Sequence, residues 1–148
     1  MFTVTYFDDS HLFYEQAHHL WEAAETRNNL IMGLALHLQS DLHAYGDATP
    51  LMALVRDETG EIRASALMTP PFALVVQSEP LNKPALEVLA DALISSGWRL
   101  PGVNCVDEVS DCFADMWQEK TGQLARRIVN LRAYELRQVL PIDYPTAK

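Results

Sequence analysis

Histidines near carboxylates, and cysteines and serines near possible bases, are the residues of this sequence whose spacing could support chemistry. Glu15 and His18 stand one helical turn apart in Glu15-Gln-Ala-His18-His19, a spacing that suits a metal ion bound on one helix face. The sequence has no second Glu-x-x-His of this kind, and its other histidines show no common spacing. We therefore predict no metal site.

Covalent catalysis needs a serine or cysteine that a neighbouring base activates. Cys105, Cys112, Ser65 and Ser78 lie in no motif that marks such a nucleophile. Two cysteines at this spacing form neither a disulfide framework nor a zinc site, so we interpret both as reduced apolar residues. The sequence predicts no catalytic residue.

Asn28 and Asn29 are the polar residues that most suggest a binding pocket. They precede an apolar run at 30–38, which predicts a helix buried on most sides. One asparagine is enough to cap that helix, so the second amide is available to line a pocket. Capping or a turn also explains both residues without a ligand. We take Asn28 and Asn29, with Tyr134 on the last predicted strand, as candidate substrate-pocket residues.

The apolar periodicity predicts the elements that must position these residues. Their order is strand, two helices, three strands, helix, strand, helix, strand. Pro84 suits the first turn of the third helix and Gly97 its end, while Asp107 is predicted to cap the fourth helix and Gly122 to follow it. The other predicted ranges are 4–6, 12–24, 30–38, 51–56, 61–69, 72–76, 100–106 and 124–139.

Length and composition limit the class of protein. A chain of 148 residues with 49% hydrophobic residues suits one globular domain, which we place at 1–140, with a tail or interdomain linker at 141–148. The formal charge of −9 opposes binding to nucleic acid or to an anionic membrane. The first residues do not resemble a signal peptide, which predicts a cytoplasmic location.

The order of the predicted elements resembles that of the GNAT superfamily of acyl-CoA-dependent N-acetyltransferases. Three strings, Arg27-Asn-Asn-Leu30, Leu67-Met-Thr-Pro-Pro71 and Leu100-Pro-Gly-Val103, are similar to the first half of bacterial proteins with two GNAT domains in tandem. The resemblance implies an α/β (α+β) fold with a mixed, mostly antiparallel twisted sheet flanked by about four helices. It also implies a partner, either a second GNAT domain or another copy of this chain.

The phosphate-binding loop of the family is missing from the matching stretch, Gln77 to Ala85. GNAT enzymes hold the pyrophosphate of coenzyme A on bare backbone N–H groups of an Arg/Gln-x-x-Gly-x-Gly/Ala loop at a helix N-terminus. Here the stretch contains no glycine, two prolines and the carboxylate of Glu79. If acetyl-CoA binds at all, the resemblance assigns Val75, Val76 and Lys83 to its site.

The last helix departs from the family as well. Many GNAT enzymes carry Tyr-Glu-Lys-x-Gly there, with a tyrosine that protonates the departing thiolate. This chain has Gln118-Glu-Lys-Thr-Gly122, and a glutamine amide is no general acid. A shift of the alignment by one residue would place Trp117 at the tyrosine position, which does not restore the acid.

These features lead to three hypotheses. We expect a GNAT-like domain without its own catalysis, needing no cofactor, that packs on a catalytic GNAT domain or self-associates. One alternative is a divergent acyltransferase that uses acetyl-CoA through Lys83 and the helix N-terminus. The other is a small-ligand binding module on the same scaffold.

Overall fold

Five strands and four helices make up the part of the chain that the computed structural model describes, which is residues 1–128, 136, 138, 140 and 141. Their order confirms the predicted α/β (α+β) fold with four helices and a mostly antiparallel sheet. The elements are β1 Thr3–Tyr6, α1 Ser10–Glu22, α2 Glu25–Ser40, β2 Leu51–Arg56, β3 Ile62–Met68, β4 Leu74–Gln77, α3 Lys83–Ser95, β5 Val103–Asn104 and α4 Asp107–Thr121.

The sheet has the strand order β1-β2-β3-β4-β5. The first four strands pair antiparallel in sequence, whereas β5 pairs parallel to β4. That parallel pairing covers only Leu74 with Val103 and Val75 with Asn104. Because β4 continues to Gln77, its last two residues run on without a β5 partner, and a wedge opens between the two strands.

The three central strands are buried on both faces of the sheet, and their side chains alternate between two cores. Ala53, Ala66 and Val76 point to a core completed by α3 and α4. Leu54 and Leu67 point to a second core completed by α1 and α2. The molecule is thus three layers, with the sheet between two helix pairs.

The hairpin of β2 and β3 is confirmed where the sequence predicts it. Its turn is held by Asp57, whose carboxylate accepts hydrogen bonds from Thr59 and Glu61 backbone N–H groups, and Gly60 has a φ of 87°. Arg63 binds the same carboxylate at 2.6 Å. Hydrogen bonds from Thr59 and Arg63 hold the pKa of Asp57 well below its ordinary value.

The predictions for the start of α3 and for the ends of α3 and α4 are confirmed, with Pro84 in the first turn of α3. Asp9 caps α1, Gly97 follows α3 with a φ of 77°, and Gly122 follows α4 with a φ of 76°. The prediction for the start of α4 is wrong by one residue. Val106 holds the cap position and Asp107 is the first helical residue, where its charge still favours the helix N-terminus.

The predictions for α2 are wrong in two respects. The helix begins at Glu25 and not after the asparagine pair, so Asn28 and Asn29 lie within it and cap nothing. It is also less buried than predicted, since Leu30 is 41% and Leu36 46% exposed. The buried face is the narrower stripe Asn28, Ile31, Ala35 and Leu38.

Three strand predictions differ from the structure by more than one residue. β5 covers only Val103–Asn104 of the predicted range 100–106. β4 begins at Leu74, because Phe72 belongs to the preceding turn and is 58% exposed. The last predicted strand does not begin at Leu124, since residues 122–128 have no regular structure. Most of its remaining length lies outside the described residues, as do Tyr134 and the predicted tail from 142 onward. Within the described part of the chain, no helix has the length and apolar character to cross a membrane.

Candidate functional site

The wedge between β4 and β5 opens into a cleft of about 640 Å³. Its walls come from the first turns of α2, the end of β4 with the residues that follow it, and the segment from β5 into α4. A second hollow of about 270 Å³ lies beside β1, and its lining has no charged side chain. The larger cleft is the candidate site, because buried polar groups and charged side chains meet there.

Asn28 contributes a buried amide to the wall of this cleft. It occupies the inward stripe of α2, and only 5% of its surface is exposed. Its Nδ2 donates to the backbone carbonyl of Trp21 at 3.3 Å. Its Oδ1 accepts no hydrogen bond from any described residue.

Gln77, the last residue of β4, contributes a second buried amide, with 6% of its surface exposed. The indole Nε1 of Trp21 donates to Ser65 Oγ at 2.9 Å, and Ser65 Oγ donates to Gln77 Oε1 at 3.1 Å. Ser65 and Gln77 are direct partners in the β3–β4 register, so their side chains lie on the same face of the sheet. The Nε2 of Gln77 donates to no described residue.

Charged side chains surround the opening of the cleft. Arg27 Nε lies 2.7 Å from Glu79 Oε1, and Arg27 Nη2 lies 3.4 Å from Glu108 Oε1. The contact with Glu79 is an ion pair without good hydrogen-bond alignment, because that oxygen has no acceptable hydrogen-bond geometry with any described donor. With Asp107 included, which pairs with Arg127 at 3.0 Å, the lining carries one cation and three carboxylates, so its net charge disfavours anions.

The N-terminus of α3 has few free backbone N–H groups that could bind a phosphate. Asn82 Oδ1 accepts from Ala85 N at 3.0 Å, Asn82 N donates to Ser78 Oγ at 3.1 Å, and Leu86 N donates to Asn82 O at 3.1 Å. Pro84 has no N–H to donate. The bond from Leu86 N is the regular first bond of an α-helix, whereas Asn82 N and Ala85 N are donors that a helix end normally leaves free and that are bonded here. Among residues 82–86 only Lys83 N remains without a described acceptor.

Cys105 lies in the cleft wall but is a poor nucleophile. Burial raises the pKa of its thiol to about 12, while hydrogen bonds from Ser110 and the Val76 backbone act in the opposite direction. The thiol is therefore protonated at neutral pH, and a thiol reacts far more slowly than a thiolate. Cys112 is not part of the lining, and burial raises its pKa as well.

The structure brings together four of the residues that the sequence singles out. Asn28, Asn29, Val75 and Val76 all line the cleft. Lys83 does not line the cleft. It is the first residue of α3 and is exposed at the surface. Tyr134 lies outside the described residues.

Comparison with known proteins adds no relative. No family model, no curated protein and no solved structure matches the chain.

The α4 residues that the sequence resemblance aligned with the tyrosine of GNAT enzymes lie away from the cleft. Gln118 is exposed, and its Oε1 accepts from Ala125 N at 3.3 Å. Trp117 is buried, and its Nε1 donates to Gln123 Oε1 at 2.9 Å. Neither side chain lines the candidate site.

Metal chemistry finds no support in the described residues. His18 pairs with Glu22 at 3.1 Å, one turn further along α1, and not with Glu15. No group of three or more histidine, cysteine or acidic side chains within the described ranges converges on a point where a metal ion could bind.

Sequence reasoning missed Gln77 and Ser65 as site residues. Gln77 ends the otherwise apolar strand β4, and Ser65 stands among the apolar residues 64–68 of β3, which was a visible signal. Their partnership depends on the register of β3 with β4, which the sequence does not give. The spacing of Asn28 with Ile31, Ala35 and Leu38 was also visible and places the amide on the buried stripe.

Proposed function

We propose that this chain is a GNAT-like domain that does not bind acetyl-CoA itself and acts by packing on a catalytic GNAT domain or on a second copy of itself. The N-terminus of α3 carries the proposal. A pyrophosphate needs several free N–H groups at such a helix end, and here those of Asn82 and Ala85 are already bonded within the chain, while Pro84 has none.

Charge adds to this argument. Glu79 lies in the segment where a GNAT enzyme would have its glycine-rich loop, and its carboxylate lines the cleft. A diphosphate at this position would approach three carboxylates and compete with Glu79 and Glu108 for Arg27. The cleft is therefore a poor site for the anionic part of coenzyme A.

Apolar surface supports the packing role. Leu12 on α1 is 48% exposed and Leu36 on α2 is 46% exposed. Phe72, in the turn before β4, is 58% exposed and packs edge-on against Tyr45. The proposal assigns such exposed apolar side chains to the surface that the partner covers.

Isothermal titration calorimetry with acetyl-CoA tests the loss of cofactor binding. We expect no saturable heat with the full chain or with Glu79→Gln, because removing the carboxylate leaves the α3 donors occupied. Sedimentation velocity on the same samples measures self-association. Micromolar binding of acetyl-CoA to the unmodified chain would overturn the proposal.

The alternative of an active acyltransferase has less support. It depends on Lys83, which lies outside the cleft lining. The alternative of a small-ligand binding module is favoured by one observation, the volume and polar lining of the cleft itself.

A further inference from the structure

We propose that the cleft binds a neutral or cationic molecule through a carboxamide group. Gln77 Nε2 donates to the carboxamide oxygen, and Asn28 Oδ1 accepts from the carboxamide N–H. This inference concerns the cleft alone and does not depend on whether the chain packs on a second domain.

The orientation of the Gln77 amide follows from the donors behind it. An indole N–H can only donate, so Ser65 Oγ must accept from Trp21 and use its own hydrogen towards Gln77. That hydrogen requires an acceptor, which fixes Oε1 on the Ser65 side. The NH₂ group of Gln77 is therefore turned away from Ser65, where it remains available as a donor.

The orientation of the Asn28 amide follows in the same way. A backbone carbonyl can only accept, so the group of Asn28 that faces Trp21 O must be the NH₂. The Oδ1 atom is then turned away from Trp21 and remains available as an acceptor. The two amides together offer, free of any bond to a described residue, the NH₂ group of Gln77 and the oxygen of Asn28 in the lining of one cleft.

Both amides are held in place before a ligand arrives. Each side chain is more than nine-tenths buried, and each uses one of its polar atoms to bond to the protein. A ligand therefore loses little free energy in ordering them. Val75, Val76 and Ile31 add apolar surface to the same lining, which suits the hydrocarbon or aromatic part of a small molecule.

The free polar atoms also set the specificity. A ligand that buries Gln77 Nε2 and Asn28 Oδ1 without pairing them leaves two hydrogen-bonding groups unsatisfied, which is the strongest basis for rejecting an analogue. A carboxylate cannot donate to Asn28 and also meets the acidic lining of Glu79, Asp107 and Glu108. A neutral carboxamide satisfies both atoms without this repulsion.

Four probes of similar shape separate these contributions. Benzamide offers an acceptor and a donor, benzoate two acceptors and a negative charge, methyl benzoate no donor, and benzamidine donors only. Titrations followed by ¹H–¹⁵N NMR report directly on the side-chain NH₂ groups of Asn28 and Gln77. We expect saturable shifts of both groups with benzamide, and binding of benzoate and methyl benzoate weaker by about tenfold or more. Benzamidine should also bind more weakly than benzamide to the unmodified chain, because it offers Gln77 Nε2 no acceptor.

Gln77→Glu should reverse the preference between benzamide and benzamidine. An unfolded variant would bind neither probe, so unfolding cannot produce this reversal. The substitution keeps an oxygen for Ser65 and replaces the free donor with a second acceptor, so the site should now prefer benzamidine to benzamide. Gln39→Glu is the matched control, because it adds the same charge on α2 outside the cleft lining. We expect the control to keep the benzamide preference of the unmodified chain.

The unmodified chain alone decides the proposal if Gln77→Glu does not fold. Equal binding of benzamide, methyl benzoate and benzoate would overturn it, and so would benzamide shifts that miss both side-chain amides. An unchanged benzamide preference in a folded Gln77→Glu variant would overturn it as well.

Discussion

The two faces of the sheet differ in what they bury. The face covered by α3 and α4 is packed with apolar side chains such as Leu89, Leu93 and Phe113. The face covered by α1 and α2 also buries polar side chains, among them Ser65 and Gln77. Buried polar groups add less stability than apolar groups of the same size unless they are fully bonded. Both faces bury apolar cores that hold the fold together, but only the second also positions polar groups beside the cleft.

The largest loss of stability is expected from a substitution on the apolar face, which α3 and α4 cover. Phe113→Ala removes a fully buried ring that stacks on Trp117 with centroids 5.9 Å apart. We expect the free energy of unfolding to fall by about 3–5 kcal/mol, because a cavity replaces the ring. Urea denaturation followed by circular dichroism measures this loss.

Phe72→Ala is the matched control for that variant. The same change at a side chain that is 58% exposed should alter the unfolding free energy by less than about 0.5 kcal/mol. A loss at Phe72 as large as that at Phe113 would contradict the assignment of the core.

A smaller loss is expected at the polar face. Ser65→Ala removes the hydroxyl between Trp21 and Gln77 and leaves a buried N–H and a buried amide oxygen unpaired. We expect a loss of about 1–3 kcal/mol with almost no change in packed volume. Urea denaturation again measures the loss of stability. The affinity for benzamide should also fall, because the Gln77 amide can then flip and exchange its oxygen and NH₂ positions.

Ser40→Ala is the control for Ser65→Ala. Ser40 is exposed at the end of α2, and its hydroxyl makes no hydrogen bond to a described residue. The free energies of unfolding of the two variants should therefore differ by most of the loss expected for Ser65→Ala. If both leave stability and benzamide binding unchanged, the polar face has no special role.

The sequence allowed more of the apolar face to be predicted than of the polar face. Pro84, Gly97 and Gly122 mark helix boundaries by local chemistry, and the apolar spacing of α3 and α4 was regular. Such signals depend on neighbours in the chain. They were sufficient to predict both helices and the hairpin at 51–69.

The candidate site depends on contacts between distant parts of the chain. Asn28 was predicted as a cap or a pocket residue. It lines the cleft, but it caps nothing, because α2 begins at Glu25 and places it on the buried stripe. The ion pair of Arg27 with Glu79 joins residues separated by 52 positions, and the pairing of Ser65 with Gln77 requires a strand register. No local pattern specifies such contacts.

Hydrogen exchange of the tryptophan indole N–H groups tests the central claim, that a buried hydrogen-bond chain from Trp21 fixes the Gln77 amide. Trp21 is fully buried and bonded to Ser65, whereas Trp98 is partly exposed and its indole donates to no described residue. We predict by NMR that the Trp21 indole exchanges only through global unfolding, and the Trp98 indole orders of magnitude faster. Equal exchange rates for the two indoles would contradict the account.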